Sequence, residues 1–155
     1  MSDWKLAPSM PQWMVDHVNR YLSSGGTDGH MYTIKLPNLP EMAVPSLLLV
    51  TKGRKSGEPF IFPLFYGDTA TGGYIIVASK GGAPDHPGWY KNLLVHPEAE
   101  IQVGTKKLRV RARTVTGPER AGLWETALKF WPPYADYQKK AVDREIPVVV
   151  LDPIS

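Results

Sequence analysis

Residues 99–115 read A-E-I-Q-V-G-T-K-K-L-R-V-R-A-R-T-V, two alternating runs on either side of Gly104-Thr105. A period of two sends successive side chains to opposite faces of an extended strand. A glycine-containing break between two such runs predicts a tight hairpin over 99–103 and 107–115. Lys107, Arg109, Arg111 and Arg113 then share one face, with Leu108, Val110 and Ala112 on the other. Cations on one face suit a solvated outer surface. A nucleic-acid surface would need stacking aromatics between them, and none is interleaved here.

Further strands follow outward from this hairpin. S-L-L-L-V-T-K (46–52), G-Y-I-I-V-A-S-K (73–80) and I-P-V-V-V-L-D (146–152) are short apolar runs, rich in β-branched residues and bounded by turn residues. F-I-F-P-L-F-Y-G (60–67) is another, although Pro63 cannot donate to a ladder and so marks an edge, a bulge or a bend. Helical spacing is rarer. Trp13, Met14, Val18, Tyr21 and Leu22 recur between Pro11 and Ser24, ahead of Gly25-Gly26. Pro87 opens a short helix carrying Trp89, Tyr90, Leu93 and Leu94, which Pro97 closes. Thr116-Gly117-Pro118-Glu119 has the form of a capping box before a helix reaching Phe130, and a further helical turn covers Tyr134 to Ala141. Strands joined largely by hairpins predict one mainly antiparallel α+β domain over 1–155, a barrel rather than a βαβ sheet.

Composition narrows the function classes. At 155 residues the chain has the size of one domain with its own core. Hydrophobic content of 43% with 21% charged residues excludes a disordered tail protein. The absence of cysteine removes disulfides, thiolate catalysis and cysteine-based metal sites, and suits a reducing compartment. A net charge of +3 suits a small anionic partner and is too weak to demand nucleic acid. No run reaches the ~18 apolar residues of a membrane span, and the first residues lack the apolar core of a secretory signal. The expected location is cytoplasmic. The apolar stripe of the first helix leaves three roles open: packing on the domain, a lid over a ligand, or peripheral contact with the inner membrane face. His17, His30, His86 and His96 lack metal-ligand spacing, so no metal site is expected. Nucleophile-elbow, P-loop and dinucleotide motifs are absent too.

Two turns and an aromatic set carry the chemistry. Thr51-Lys52-Gly53-Arg54-Lys55-Ser56-Gly57-Glu58-Pro59 runs from a strand into a glycine turn rich in cations and backbone N–H groups, which can hold an anion without a helix. Ala78-Ser79-Lys80-Gly81-Gly82 repeats that pattern at the end of another strand. Phe60, Phe62 and Phe65 follow the first turn, and Trp89 and Tyr90 the second. Trp131, Tyr134 and Tyr137 recur every three residues beside Pro132-Pro133 and so present one face. Cations beside a flat aromatic pocket suit a large planar anion such as a flavin-like cofactor.

Together, T-x-G-R-K-S-G-E-P (51–59), A-S-K-G-G (78–82), H-P-G-W-Y-K-N-L (86–93), P-P-Y-A-D-Y-Q (132–138) and D-R-E-I-P-V-V-V (143–150) resemble the deazaflavin-dependent nitroreductase family of actinobacteria. The resemblance covers about residues 43–153 and leaves 1–42 as an N-terminal helix and lead-in. It implies a split β-barrel of the FMN-binding type with a few peripheral helices, and use of reduced coenzyme F-420, a deazaflavin with a phosphate and an oligoglutamate tail. By the same resemblance, Gly53, Arg54, Lys55, Ser56 and Gly57 hold the anionic end. Pro63, Leu64, Ala78, Ser79, Lys80, Gly81 and Gly82 run along the ring, and Trp89 and Asn92 close the site. Ser79, Tyr134 and Tyr137 are the candidate catalytic hydroxyls. Phe60, Phe62, Phe65 and Trp131 join the two tyrosines around the substrate. Those four rings replace polar or hydroxylated residues of a nitroimidazole-activating member. The expected activity is hydride transfer to quinones, enones or other electron-poor molecules, nitroaromatics among them. The alternatives are an FMN-dependent oxidoreductase on the same barrel and a non-catalytic carrier of apolar ligands.

Overall fold

The computed structural model describes residues 4–6, 10–35 and 37–154. In chain order the elements are β1 (Lys5–Leu6), α1 (Gln12–Ser23), β2 (Met31–Ile34), β3 (Met42–Lys52), β4 (Pro59–Phe65), β5 (Gly67–Asp68), β6 (Tyr74–Val77), a 3-10 turn (Lys80–Gly82), α2 (Gly88–Val95), β7 (Glu98–Val103), β8 (Lys106–Thr114), α3 (Gly117–Phe130), α4 (Tyr134–Lys140) and β9 (Val148–Ile154). The strands form one sheet in the order β1-β4-β3-β7-β8-β9-β6-β5, with β2 paired to β3. Every pairing is antiparallel except the short β1–β4 contact. The sheet curls without closing, which leaves a seam between its two ends. This is a split barrel.

The 99–115 hairpin forms with Val103 opposite Lys106 and Glu98 opposite Arg111. Gly104 takes φ +60°, the backbone hand such a turn requires. The cation stripe is indeed solvated: Arg111 pairs with Glu98 at 2.9 Å, and Arg113 reaches Asp152 at 2.8 Å and Glu119 at 3.0 Å. Glu119 is therefore turned away from the helix start, and Thr116 makes no side-chain cap bond. The expected capping box does not form, because the strand arginine captures its carboxylate.

Strand limits moved where tertiary bonds overrule the local pattern. β3 starts at Met42 because β2, which the Gly- and Pro-rich lead-in concealed, pairs with Met42–Pro45. β6 stops at Val77; Ala78 keeps one cross-strand bond, its N–H to the Pro147 carbonyl at 2.9 Å, and Ser79 then caps the Lys80–Gly82 turn. Pro63 lies opposite Leu48 on a stretch of β4 that β1 does not reach, so it stands at an edge.

Leu47, Leu49, Ile76, Ile101 and Leu151 fill the barrel and meet Trp89, Tyr90 and Leu93 of α2. Each such fully buried aliphatic side chain stabilises the fold by about 1.5–3 kcal/mol. On the outside, α1 buries Val18 and Tyr21 against Leu48, Val50 and Ile61. The Tyr21 hydroxyl receives the Gly104 N–H at 2.6 Å and donates to the Ser46 carbonyl at 2.9 Å, which ties α1 to the hairpin turn. Burial pushes that phenol up to about 12, so it stays protonated there. α3 and α4 bring Ala127, Trp131 and Tyr134 against Val44 and Val77. Among the described residues no helix is long and apolar enough to cross a membrane.

Candidate cofactor and substrate cleft

A cleft of about 630 Å³ lies along the seam. β4 supplies one wall through Phe62, Pro63, Leu64 and Phe65, and Val77 ends β6 opposite. Ser79, Lys80 and Gly81 form its polar rim, and Gly88 and Trp89 enter from the start of α2. Trp131, Tyr134 and Tyr137 close one end. Met10, Pro11, Trp13, Met14 and His17 close the other side. The first helix thus packs on the barrel and also walls the cleft.

The rim turn is built from backbone. Ser79 is right-handed (φ −79°, ψ −39°), and Lys80 and Gly81 are left-handed at φ +48° and +63°. Successive residues of opposite hand aim their N–H groups into one concavity, which binds anions and carbonyl oxygens. The N–H groups of Ser79, Lys80 and Gly81 have no partner among the described residues. The Lys80 ammonium is paired with Asp85 at 3.0 Å. A Cβ built at Gly81 or Gly88 meets nothing within 4 Å, so both glycines border open space. Gly82 is a different case, since its Cβ would lie 2.7 Å from the Tyr137 carbonyl. It lets α4 close over the turn.

The second cationic turn lies beside the cleft rather than in it. The Gly53 N–H donates to the Glu58 carbonyl at 2.7 Å, and Arg54, Lys55 and Ser56 project at the exposed tip of the turn. Buried Asn92 anchors it. Its carbonyl oxygen accepts the backbone N–H and the guanidinium of Arg54, and its amide donates to Thr51 at 3.0 Å. Arg54 also donates to the Gly88 carbonyl at 3.4 Å, so the cationic tip adjoins the rim where α2 begins.

Within the cleft the tyrosines stand edge to face, their rings 6.1 Å apart. The hydroxyls of Ser79, Tyr134 and Tyr137 make no hydrogen bond among the described residues. These hydroxyls are not sealed from the cleft, so a ligand bound there can supply their partners. Burial, and then the neighbouring Tyr137, push the Tyr134 phenol above the ordinary tyrosine value. Phe65 and Trp131 pack at 5.0 Å between ring centres and leave this end apolar.

The structure therefore gathers Phe62, Pro63, Leu64, Phe65, Ser79, Lys80, Gly81, Trp89, Trp131, Tyr134 and Tyr137 around one space. Gly53, Arg54, Lys55, Ser56 and Gly57 stay together on the adjoining turn. Phe60 is the correction: it lies outside the cleft, its ring over Gly53, where a Cβ would come within 2.8 Å of it. Asn92 serves the turn and does not line the cleft, and Ala78 and Gly82 lie behind the rim. Sequence reasoning gave His17 and Arg144 no role in the site. His17 is buried in the cleft wall with Nε2 2.7 Å from the Gly29 carbonyl. Arg144 stood inside the D-R-E-I-P motif without an assigned partner.

An apolar seam with unpaired N–H and O–H donors beside a cationic tip defines a split-barrel protein suited to a flat ligand with an anionic end. Comparison with known proteins names the family: residues 13–153 match the model of the F420H(2)-dependent quinone reductases, and the chain belongs to that family. It is 41% identical over 152 residues to an F420H(2)-dependent quinone reductase of Mycobacterium tuberculosis, covering 90% of this chain and 95% of the relative. A putative quinone reductase of the same kind and organism is 40% identical over 112 residues, 71% of this chain and 91% of its own. Among solved structures, an F420-H2 dependent reductase, FDR-A, superposes with a TM-score of 0.64 at 43% identity, over 70% of this chain and 94% of that one. A domain-swapped dimer superposes with a TM-score of 0.66 at 38% identity, over 91% and 98%. The family match starts inside α1, upstream of the motifs that first suggested it. It carries a deazaflavin cofactor, which leaves the FMN alternative unsupported.

Proposed function

We propose that this chain is an oxidoreductase that reduces quinones with reduced coenzyme F-420, binding the coenzyme along the seam and the quinone at its aromatic end. The observation that carries this is the pairing of unpartnered donors with an otherwise apolar cleft in a chain of this family. Arg54, Lys55 and Ser56 offer charge-assisted contacts to phosphate or carboxylate groups. The N–H groups of Ser79, Lys80 and Gly81 suit the polar edge of a ring system. Trp89, Pro63 and Leu64 keep water from its faces. When bound, the reduced deazaflavin supplies the hydride. The residues of the chain do the rest. Ser79, Tyr134 and Tyr137 aim hydroxyls at the end where a quinone oxygen gains charge, and fixed donors in a dry site stabilise that charge. Tyr134 keeps its proton because of its burial, so the one proton that completes the hydroquinone after hydride addition comes from Tyr137 or solvent water. Enones fit the same end; nitroaromatics, which need more polar contacts, fit it less well. The test is oxidation of reduced coenzyme F-420 by a quinone, with FMN and NADPH as control cofactors. No turnover with the deazaflavin, or equal turnover with FMN, refutes the assignment.

A second observation concerns the route of an apolar quinone. Trp13 and Met31 are 47% and 51% exposed, and Trp13 packs 5.7 Å from Tyr32 next to Met31. This rim suits peripheral contact with the inner face of a membrane. Co-sedimentation with anionic vesicles that Trp13→Ser abolishes supports the contact. Equal recovery of both proteins in the supernatant refutes it.

A further inference from the structure

Arg144 lies on the loop between α4 and β9, and all five of its N–H groups are used. Nε donates to the Ala83 carbonyl at 3.2 Å. One terminal nitrogen donates to the Ala78 carbonyl at 2.9 Å and to His86 Nδ1 at 3.0 Å. The other donates to the carbonyls of Ser79 at 2.8 Å and Ala83 at 3.0 Å. Among the described residues no carboxylate forms an ion pair with it. A planar five-donor fork can bridge both ends of a turn in this way, and an ammonium cannot.

Two of the three peptides it grips, those of the Ala78 and Ser79 carbonyls, carry the Ser79 and Lys80 N–H groups of the rim. A cation bound to a peptide oxygen polarises that peptide and strengthens its N–H as a donor. We infer that Arg144 is the positioning residue for the cofactor-side turn, and that protonation of His86 releases that turn. This rests on the proposed binding of the deazaflavin along residues 79–81. His86 accepts the Arg144 proton only while Nδ1 is bare. A proton there would place two cations 3.0 Å apart. Asp85, Lys91 and Tyr90 also surround His86, with Lys80 paired to Asp85. Burial, then Arg144 and Lys91, hold His86 below the usual histidine range, so the neutral acceptor is the resting form. Lys80 keeps Asp85 ionised well into acid, so this carboxylate does not titrate first.

The experiment measures coenzyme F-420 affinity by calorimetry at pH 8 and pH 5 in the full chain, with melting curves alongside. Arg144→Lys is expected to weaken binding about tenfold or more at pH 8, since charge survives but the fork is lost. Affinity of the unsubstituted protein falls on acidification, and His86→Gln, which keeps an acceptor that does not titrate, shrinks the ratio between the two pH values towards one. Unchanged affinity in Arg144→Lys, or the same acid loss in His86→Gln, overturns the inference while the cofactor assignment stands. No binding by the unsubstituted protein at either pH overturns both. Should Arg144→Lys melt below the assay temperature, the His86→Gln ratio decides alone.

Discussion

The guanidinium of Arg54 meets the carboxamide oxygen of Asn92 at 2.9 Å, and the same oxygen receives the Arg54 backbone N–H at 3.2 Å. One buried side chain on α2 therefore fixes a cation on the loop between β3 and β4. It sets both the shape of the turn and the direction of its charge. Asn92→Ala removes three hydrogen bonds, leaves the Thr51 hydroxyl without a donor, and is expected to cost about 1–3 kcal/mol of stability. Coenzyme affinity falls with it. Chemical denaturation of the variant checks the first effect, and a wild-type midpoint would mean that water replaces the amide.

Arg54 and Lys55 supply the charge itself. Arg54→Ala with Lys55→Ala is expected to lose about 1.5–3 kcal/mol of coenzyme binding for each contact removed. The tip is exposed, so the loss shrinks as salt shortens the screening length to a few ångströms. Calorimetry at two ionic strengths measures this, and salt-independent binding in the parent would remove the turn from the site.

Tyr137→Phe keeps the ring that packs on Tyr134 and deletes one unpartnered hydroxyl. If that hydroxyl stabilises charge only in the transition state, kcat falls while coenzyme affinity holds. Steady-state rates with a quinone, set beside calorimetry, separate the two. Unaltered kcat would make Tyr137 a packing residue.

How much of this was legible in the sequence depends on the range of the interaction. The hairpin at Gly104 was plain because alternation and turn chemistry are local. Tyr134 and Tyr137 share α4, so their common face follows from local spacing, whereas Trp131 lies before that helix and joins them at the cleft only through the fold. The capping box failed because Arg113, on a neighbouring strand, competes for Glu119. Phe60 was misplaced because the pattern 60, 62, 65 gives no hint that Gly53 opens a hollow for its ring. The part of Arg144 could not be seen at all, since its partners lie about 60 residues upstream.

His17 gives the fold an acid limit. Burial, its largest influence, holds the imidazole below the usual histidine range, although the Gly29 carbonyl partly opposes this. The unfolded chain then binds the proton more readily than the folded one. Its stabilising contribution is complete above the ordinary histidine range and is lost as pH falls through it, at up to about 1.4 kcal/mol per pH unit. His86 acts in the same direction. Melting temperature is expected to drop from pH 8 to pH 5, and His17→Asn should reduce the drop. A pH-independent difference between the two proteins would contradict this.

Substrate preference follows from which rings face the cleft. Phe62, Phe65 and Trp131 line it without a hydroxyl among them, and Phe60 does not take part. A nitro group or a charged substrate would shed more water there than the three cleft hydroxyls replace, and each polar group left unpaired costs several kcal/mol. An apolar quinone loses little and gains about 25 cal/mol for each Å² buried. The expected order of kcat/KM is a quinone first, then a cyclohexenone, with a bicyclic nitroimidazole last by a wide margin. Phe65→Tyr restores one phenol beside Trp131, 5.0 Å away, and should move the ratio towards the nitro compound. Phe60→Tyr lies outside the cleft and should leave the ratio where it was. Steady-state kinetics at one coenzyme concentration measure all three substrates. If the nitroimidazole leads in the parent enzyme, or if Phe60→Tyr shifts the ratio as far as Phe65→Tyr, the rings of the cleft do not set the preference.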